Sequence, residues 1–437
     1  MLPQEVRQVL HTLSSAGHEA YVVGGCVRDI LRGVAPHDWD ITTSALPEET
    51  MSLFPHFAIP TGLKHGTVTV LSGGCPCEVT TYRADGDYSD HRRPDGVTFT
   101  RSLREDLARR DFTVNAMAMD ENGEVVDPFG GREDLAAGIL RCVGEPAKRF
   151  SEDALRILRA LRFAATLGFA IEEETGRAIF ALRDDLHYVA AERVREELTK
   201  LLLGDSAEAI LTAFPTVLGA VIPELLPAVG FDQRNCHHCL DVWGHTARAV
   251  GKAAKDSIIR WTMLLHDLGK PDTFTVDGEG VGHFYTHADR SEEIARQVVQ
   301  RLRFDKASAQ RIVRLVRYHD RPFALTEKSM ARALRKLGVE DTFALCAVKR
   351  ADNLAQHPDY HDRQAVLDEA EALLHAVLEK DSCFSLKHLA VDGNDLLALG
   401  LRGKAIGQVL EQLLTAVMDG ELPNEKAALL NAAKEQI

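Results

Sequence analysis

Hydrophobic and polar positions change rhythm once along this chain. In residues 1–145 the apolar positions come in short alternating runs bounded by glycine or other turn residues: Tyr21-Val22-Val23 before Gly24-Gly25, Gly66-Thr67-Val68-Thr69-Val70-Leu71, Glu78-Val79-Thr80-Thr81-Tyr82-Arg83, and Gly96-Val97-Thr98-Phe99-Thr100. Period-2 runs rich in β-branched residues predict strands, so this part reads as one domain of mixed helix and strand. From Ser151 the spacing becomes three and four. Ser151-Glu152-Asp153-Ala154-Leu155-Arg156-Ile157-Leu158-Arg159-Ala160-Leu161 predicts a helix with Ser151 as N-cap, acids in its first turn and Gly168 at its end. Nearly everything beyond reads as helix. Pro223 and Pro227 punctuate the segment before a further domain beginning near residue 235. The predicted class is α+β, a mixed-sheet domain followed by an extended all-helical region. The predicted divisions are 1–145, 146–230, 235–362 and 363–437.

Composition narrows the setting. The chain has 437 residues, 45% of them hydrophobic, enough for a sizeable core. It contains no run of 18 apolar residues and starts Met1-Leu2-Pro3-Gln4-Glu5, without a basic stretch leading into an apolar one, so a cytoplasmic protein with no membrane partner is expected. Eight scattered cysteines fit reduced thiols. Cys236-His237-His238-Cys239 has the look of half a zinc site, but no second ligand pair stands at suitable spacing. The net charge of −14 argues against nucleic acid when taken alone. Local patches decide, however. Lys148, Arg149, Arg156, Arg159 and Arg162 face only Glu152 and Asp153 between Ala147 and Phe163, and Arg92, Arg93, Arg101, Arg104, Arg109 and Arg110 form another basic zone. Such strips are compatible with an RNA partner bound in a salt-dependent way.

Two places carry candidate chemistry. The first is Gly24-Gly25-Cys26-Val27-Arg28-Asp29 followed by Asp38-Trp39-Asp40-Ile41. Glycines between a strand and a helix let backbone approach a ligand, and a helix start favours phosphate. Asp38 and Asp40 alternate on an extended segment, so they point to one side and can share Mg2+. A lone Asp-x-Asp is common in solvated turns; the upstream glycines and a third candidate carboxylate, Glu78, favour nucleotidyl transfer over that reading. The second place is the set His245, His266-Asp267 and Asp352, with Gly269-Lys270, His283, His287, His319 and Asp320 nearby in sequence. Imidazoles and carboxylates on separate helices suit Mn, Ni or Fe as well as Mg, and a water on such a metal can hydrolyse a phosphoester.

The segment Asp106-Leu107-Ala108-Arg109-Arg110-Asp111-Phe112-Thr113-Val114-Asn115-Ala116-Met117-Ala118 joins these motifs. Together with Gly24-Gly25, Asp38-x-Asp40 and Glu152-Asp153-x-x-Arg156, it resembles the class II tRNA nucleotidyltransferases, the bacterial CCA-adding enzymes. These share a head domain with bacterial poly(A) polymerases in the polymerase-beta superfamily. The resemblance covers residues 20 to about 205, and Glu192–Leu202 is similar to the family's helical motif after the neck. The His-Asp region resembles HD-domain phosphohydrolases. The resemblance implies a polymerase-beta-like head, then a helical neck and body, an HD domain and a helical tail. It implies Mg2+ on Asp38 and Asp40, with Glu78 as the third acid. Gly24, Gly25 and Arg28 would contact a triphosphate; Arg110, Asp111 and Asn115 would support ribose and phosphate. Glu152, Asp153 and Arg156 would choose the base, with Arg159 and Arg162 beside them on the nucleotide. In the second region it implies a divalent transition metal on His245, His266, Asp267 and Asp352.

Base choice also has a direct rationale. An ionised Asp153 only accepts hydrogen bonds and Arg156 only donates; at i and i+3 they are expected on one helix face. An acceptor beside a donor matches cytosine and adenine and mismatches uracil and guanine. The expected nucleotides are therefore CTP and ATP; the resemblance implies tRNA as the nucleic-acid partner, and not DNA. The polar segment from Asp85 to Arg104 corresponds to a family loop that switches the site from C to A addition, and here it has full length. That length disfavours an enzyme that adds only CC and leaves A-only addition open. Poly(A) synthesis, and hydrolysis in the His-Asp region with the head as an RNA-binding module, are the remaining readings.

Overall fold

A computed structural model describes residues 2–85, 97–235, 239–379 and 385–435. The Cys236-His237-His238 run and most of the segment from Asp85 to Arg104 therefore lie outside the described residues. The described chain divides into two compact units, Met1–Leu226 and Pro227–Ile437.

The first unit holds a mixed seven-stranded sheet. Its strands are β1 (Ala20–Val23), β2 (Trp39–Thr43), β3 (Ala58–Gly62), β4 (Thr67–Ser72), β5 (Cys75–Thr81), β6 (Ala118–Met119) and β7 (Val125–Val126), in the order β3-β4-β5-β2-β1-β6-β7. The β2–β5 pair is parallel and its neighbours are antiparallel. Alternation explains the faces: Val68 and Val70 on β4, and Cys77 and Val79 on β5, are buried while the residues between them are not. Helix α1 (Gln4–Ser15) lays Val6, Val9, Leu10 and Leu13 on that apolar face, where they join Val22, Ile41, Val68 and Val79. Leu10 is fully buried there, and cutting it to Ala would cost about 2–5 kcal/mol. Helix α2 (Gly25–Leu31) leaves β1 through Gly24. A two-stranded ladder, Arg83–Asp85 with Val97–Phe99, stands apart from the sheet.

The predicted helix from Ser151 is two helices. α3 (Pro146–Glu152) ends at Asp153, whose backbone is extended, and α4 (Leu155–Leu167) begins beyond it. Ser151 is not an N-cap; it sits in the last turn of α3 with its hydroxyl donating to Ala147 O at 2.9 Å. Pro146 at the first helical position starts the earlier helix. Gly168 ends α4 in the left-handed conformation, as expected. Helix α5 (Ala191–Leu202) packs against α4 through Val194, Leu198 and Leu201.

The second unit is helical apart from a small hairpin, β8 (Thr275–Val276) with β9 (Gly282–His283). Its helices include α6 (Val242–Lys252), α7 (Ser257–Leu265), α8 (His287–Arg301), α9 (Lys306–Tyr318), α10 (Glu327–Leu337) and α11 (Val339–Ala355), followed by α12 (Arg363–Glu379), α13 (Lys404–Met418) and α14 (Lys426–Lys434). Asp241, Asp256 and Asp305 cap α6, α7 and α9 by accepting from the amides of Gly244, Ile259 and Ser308. Among the described residues no helix is long and apolar enough to cross a membrane, and the six described cysteines are free.

Candidate functional site

Asp38 is exposed just ahead of β2, and Asp40 is half-buried on it. Glu78 on the parallel neighbour β5 stands in register with Asp40, so the two carboxylates lie side by side on one face. Burial pushes the Asp40 carboxyl up; Arg110 pulls against this, and the charges of Glu78 and Asp38 add to it. A half-buried carboxylate repelled by two exposed ones is a donor set that a hard divalent cation relieves. The three are nonetheless open. Among the described residues, both groups of donors that close to within 4.8 Å lie in the second unit.

Gly24 has φ +81°, and a Cβ there would stand 3.2 Å from Arg110 Nη1 and 3.9 Å from Asp40 Oδ2. Glycine is required both for that backbone conformation and for the close approach. Arg110 is half-buried, and its Nε is buried with no hydrogen-bond partner. Burial lowers its guanidinium below the ordinary value, with Asp106 and Asp40 opposing and Arg109 adding to the fall. Such a group invites an anion. Its anchor is Asp106, fully buried, whose carboxylate accepts from Thr42 Oγ1 at 3.0 Å, Arg109 Nε at 3.0 Å and the Arg83 amide at 3.3 Å, and pairs with Arg110 at 3.4 Å. Burial pushes the Asp106 carboxyl up, but Arg109 and Arg110 outweigh it and hold it below the usual range.

A second relay leads to α4. Arg28 donates to Asn115 Oδ1 at 2.8 Å, Asn115 Nδ2 donates to Asp111 Oδ1 at 3.2 Å, and Arg159 donates to Asp111 Oδ2 through Nε at 2.8 Å and Nη2 at 2.6 Å. Burial opposes ionisation of Asp111, but Arg159 prevails and brings it to about 2. The guanidinium carbons of Arg162, Arg28 and Arg159 lie 3.9, 5.3 and 5.4 Å from the Phe163 ring centroid. Arg162 also pairs with Glu197 at 3.1 Å.

The trio expected to choose the base is arranged differently from expectation. Because Asp153 sits in the break between α3 and α4, it does not share a helix face with Arg156. Arg156 instead donates to Glu152 Oε2 at 2.8 Å, Arg149 O at 3.0 Å and Arg109 O at 2.9 Å. Asp153 accepts from the Leu155 amide at 3.1 Å and pairs with Arg193 at 3.3 Å. The basic strip is likewise no open cationic face: Arg149 and Arg156 pair with Glu152, Arg159 with Asp111 and Arg162 with Glu197.

In the second unit α6, α7 and α11 pack together and bring His245, His266-Asp267 and Asp352 to one point. His245 Nε2 lies 2.9 Å from Asp352 Oδ1 and 3.5 Å from Asp267 Oδ2; His266 Nε2 lies 3.2 Å from Asp267 Oδ2 and 3.5 Å from Asp352 Oδ1. The other Asp267 oxygen faces His287 and His319 at 3.5 and 3.6 Å, so Asp267 belongs to two donor groups. The Nδ1 atoms of His266, His287 and His319 meet the carbonyls of Met263, Phe284 and Val316 at 2.7, 2.8 and 2.6 Å. With Nδ1–H donating there, each Nε2 is turned toward the cluster, where a metal would take its lone pair in place of a proton. His266 Nε2 and Asp267 Oδ2 are buried and have no hydrogen bond of good geometry, so this donor set fits a divalent transition metal. Burial would lower His266, but Asp267 and Asp352 outweigh it and lift it to about 10. Burial would raise Asp267, but His266 and Lys270, whose Nζ is 2.7 Å away, hold it well below the ordinary value.

The family model "Poly A polymerase head domain" matches residues 20–141, "Probable RNA and SrmB- binding site of polymerase A" matches 168–215, and a tRNA nucleotidyltransferase domain 2 matches 277–433. A CCA-adding enzyme of Lactiplantibacillus plantarum is 37% identical over 435 residues, 99% of this chain and 96% of that protein. The chain belongs to the CCA-adding enzyme family. A second relative, from Geobacillus stearothermophilus, is 37% identical over 97% of this chain and 94% of its own length. A Leuconostoc mesenteroides member is 55% identical over a shorter stretch, 52% of its length. The crystal structure of the Bacillus stearothermophilus CCA-adding enzyme in complex with CTP matches with a TM-score of 0.75 at 32% identity, covering 100% of this chain and 98% of that one. The Thermotoga maritima CCA-adding enzyme complexed with tRNA shares the fold, with a TM-score of 0.58 at 21% identity over 99% of this chain and 94% of that one.

Sequence reasoning quoted Asp106 and Arg109 without giving them roles, and left His287 and His319 out of the ligand set. For Asp106 a signal existed: an acid three and four residues before Arg109 and Arg110 is an i, i+3 and i, i+4 partner for both.

Proposed function

We propose that the chain adds C, C and then A to the 3′ end of tRNA from CTP and ATP without a nucleic-acid template. The observation that carries this is the register of Asp40 with Glu78 next to Arg110, which approaches Gly24 and has a buried, unpartnered Nε. Asp38, Asp40 and Glu78 would hold Mg2+. When bound there, that ion would neutralise charge on the phosphates and lower the pKa of the attacking hydroxyl. Gly24 and Gly25 admit the triphosphate close to the backbone, and Arg28 and Arg110 receive its charge. Asp111 and Asn115 hold Arg28 in place. Asp153 and Arg156 read the base edge, with Glu152 orienting Arg156, while Arg159 and Arg162 fix the neck beside Phe163. The 3′-hydroxyl attacks the α-phosphorus, and pyrophosphate leaves toward Gly24 and Arg28. The head is taken as 1–145, the neck and body as 146–230, the metal-binding domain as 235–362 and the tail as 363–437, in a cytoplasmic protein. The test is extension of three tRNA transcripts, ending before CCA, after C and after CC. Full extension of all three by CTP plus ATP is expected. Extension of only the CC-ended transcript, by one A, would replace this reading with A-only addition.

A second reading stands beside it. His245, His266, Asp267 and Asp352 would hold a divalent transition metal, which would supply an activated water for hydrolysis of a phosphoester; the closure of these four donors to within 4.8 Å and the tie of His266 Nδ1 to Met263 O favour it. Titrating the metal-stripped chain with Mn2+ tests it: no binding in the second unit would end it.

A further inference from the structure

We propose that Arg193, forty residues beyond Asp153 in sequence, is the positioning residue that sets the Asp153 carboxylate for base choice. The proposal rests on the reading of Asp153 and Arg156 as the base-reading pair. The two members of that pair are held by different parts of the fold. Arg156 is fixed by Glu152, Arg149 O and Arg109 O, so α3 and the segment before Asp111 determine where its guanidinium points. The Asp153 amide also reaches Arg149 O, at 3.4 Å, but its carboxylate bonds to none of these groups. One of its oxygens accepts from the Leu155 amide at 3.1 Å and the other meets Arg193 Nη2 at 3.3 Å. Arg159, the next cation along α4, is committed to Asp111.

A carboxylate turns about a broad, two-fold terminal torsion. One amide fixes one oxygen; the second contact fixes the plane. With both in place, the remaining lone pairs of Asp153 have a set direction toward an amino donor on a base. Without Arg193 the plane is free, and a base whose edge presents a carbonyl is excluded less strictly. The Asp153 and Arg193 side chains keep 18% and 34% of their surface exposed, so the pair is reachable and moderate in strength. Arg193 lies on α5, which packs along α4, so base choice depends on the seating of a helix that carries neither reading residue.

The test measures kcat and KM of the full chain for CTP, ATP and UTP on matched tRNA transcripts, with Arg193→Ala, Arg193→Lys, Asp153→Ala and the Arg193→Ala/Asp153→Ala double variant. Arg193→Ala should raise KM for CTP and ATP about three- to ten-fold, change kcat little, and cut the CTP-over-UTP preference by a similar factor. Arg193→Lys should restore part of that preference, and the double variant should be no worse than Asp153→Ala. If Arg193→Ala keeps its preference while Asp153→Ala loses it, the positioning role is overturned and the base-reading pair stands. If Asp153→Ala itself keeps the preference, the base-reading pair is overturned and this proposal falls with it. A uniform rise of KM for every nucleotide with a lowered melting temperature would make Arg193 a helix staple only. Should Arg193→Ala fail to fold, Arg193→Lys carries the same comparison.

Discussion

Replacing Asp111 with Asn isolates the relay that ties the head to the neck. Asp111 is almost fully buried and accepts from Arg159 twice, from Asn115 and from the Phe112 amide. Its carboxyl is held at about 2 against an ordinary 3.8. A depression of that size corresponds to about 2–3 kcal/mol in favour of the ionised folded form. Asn keeps the shape and can still accept from one neighbour, but it brings an amide donor where Arg159 donates and leaves that guanidinium without its charge partner. The variant should therefore be less stable in its first unit by about 2–3 kcal/mol at pH 7. Because the folded-state value is lowered, the parent's advantage is complete above about pH 4 and is lost as pH falls toward about 2. Urea unfolding of the full chain from pH 7 to 3, followed by amide exchange across residues 103–167, gives the gap between parent and variant. A constant gap down to about pH 4 that narrows below it is expected. Equal stability at pH 7, or a gap already closing at pH 6, would refute the reasoning.

Asp40→Asn should cut nucleotide incorporation by about a thousand-fold or more while leaving the fold intact or slightly firmer, because burial and neighbouring carboxylates already penalise that charge; single-turnover extension above about 1% of the parent rate would remove Asp40 from the metal role. Gly24→Ala places a Cβ at φ +81° against Arg110; it should cost about 1 kcal/mol or more and weaken nucleotide binding, and an unchanged melting temperature with unchanged KM would sink that reading. His266→Ala should abolish tight Mn2+ binding in the second unit and spare tRNA extension; retained binding by elemental analysis would remove His266 from the ligand set.

What the sequence could and could not reveal follows from where each contact comes from. Asp40 and Glu78 were legible because strand period and turn glycines are local, and a buried face forces the parity of each strand. The break at Asp153 was not. Ser151, Glu152 and Asp153 satisfy helix-start rules equally well, and the choice fell to Pro146 and to Asp153 accepting from Leu155. The pairing of the basic strip was hidden for a different reason. Its acids, Asp111 and Glu197, come from tens of residues away, and nothing in the spacing announces them. The second unit carries the same lesson in its His-Asp cluster. His287 and His319 join Asp267 only because α8 starts and α9 ends at one point, with Phe284 and Val316 carbonyls turning each imidazole. Local pattern thus identifies which residues can do chemistry, whereas their selection rests on long-range pairs such as Arg159–Asp111 and Arg193–Asp153, where mutagenesis discriminates most sharply between a reading and its rivals.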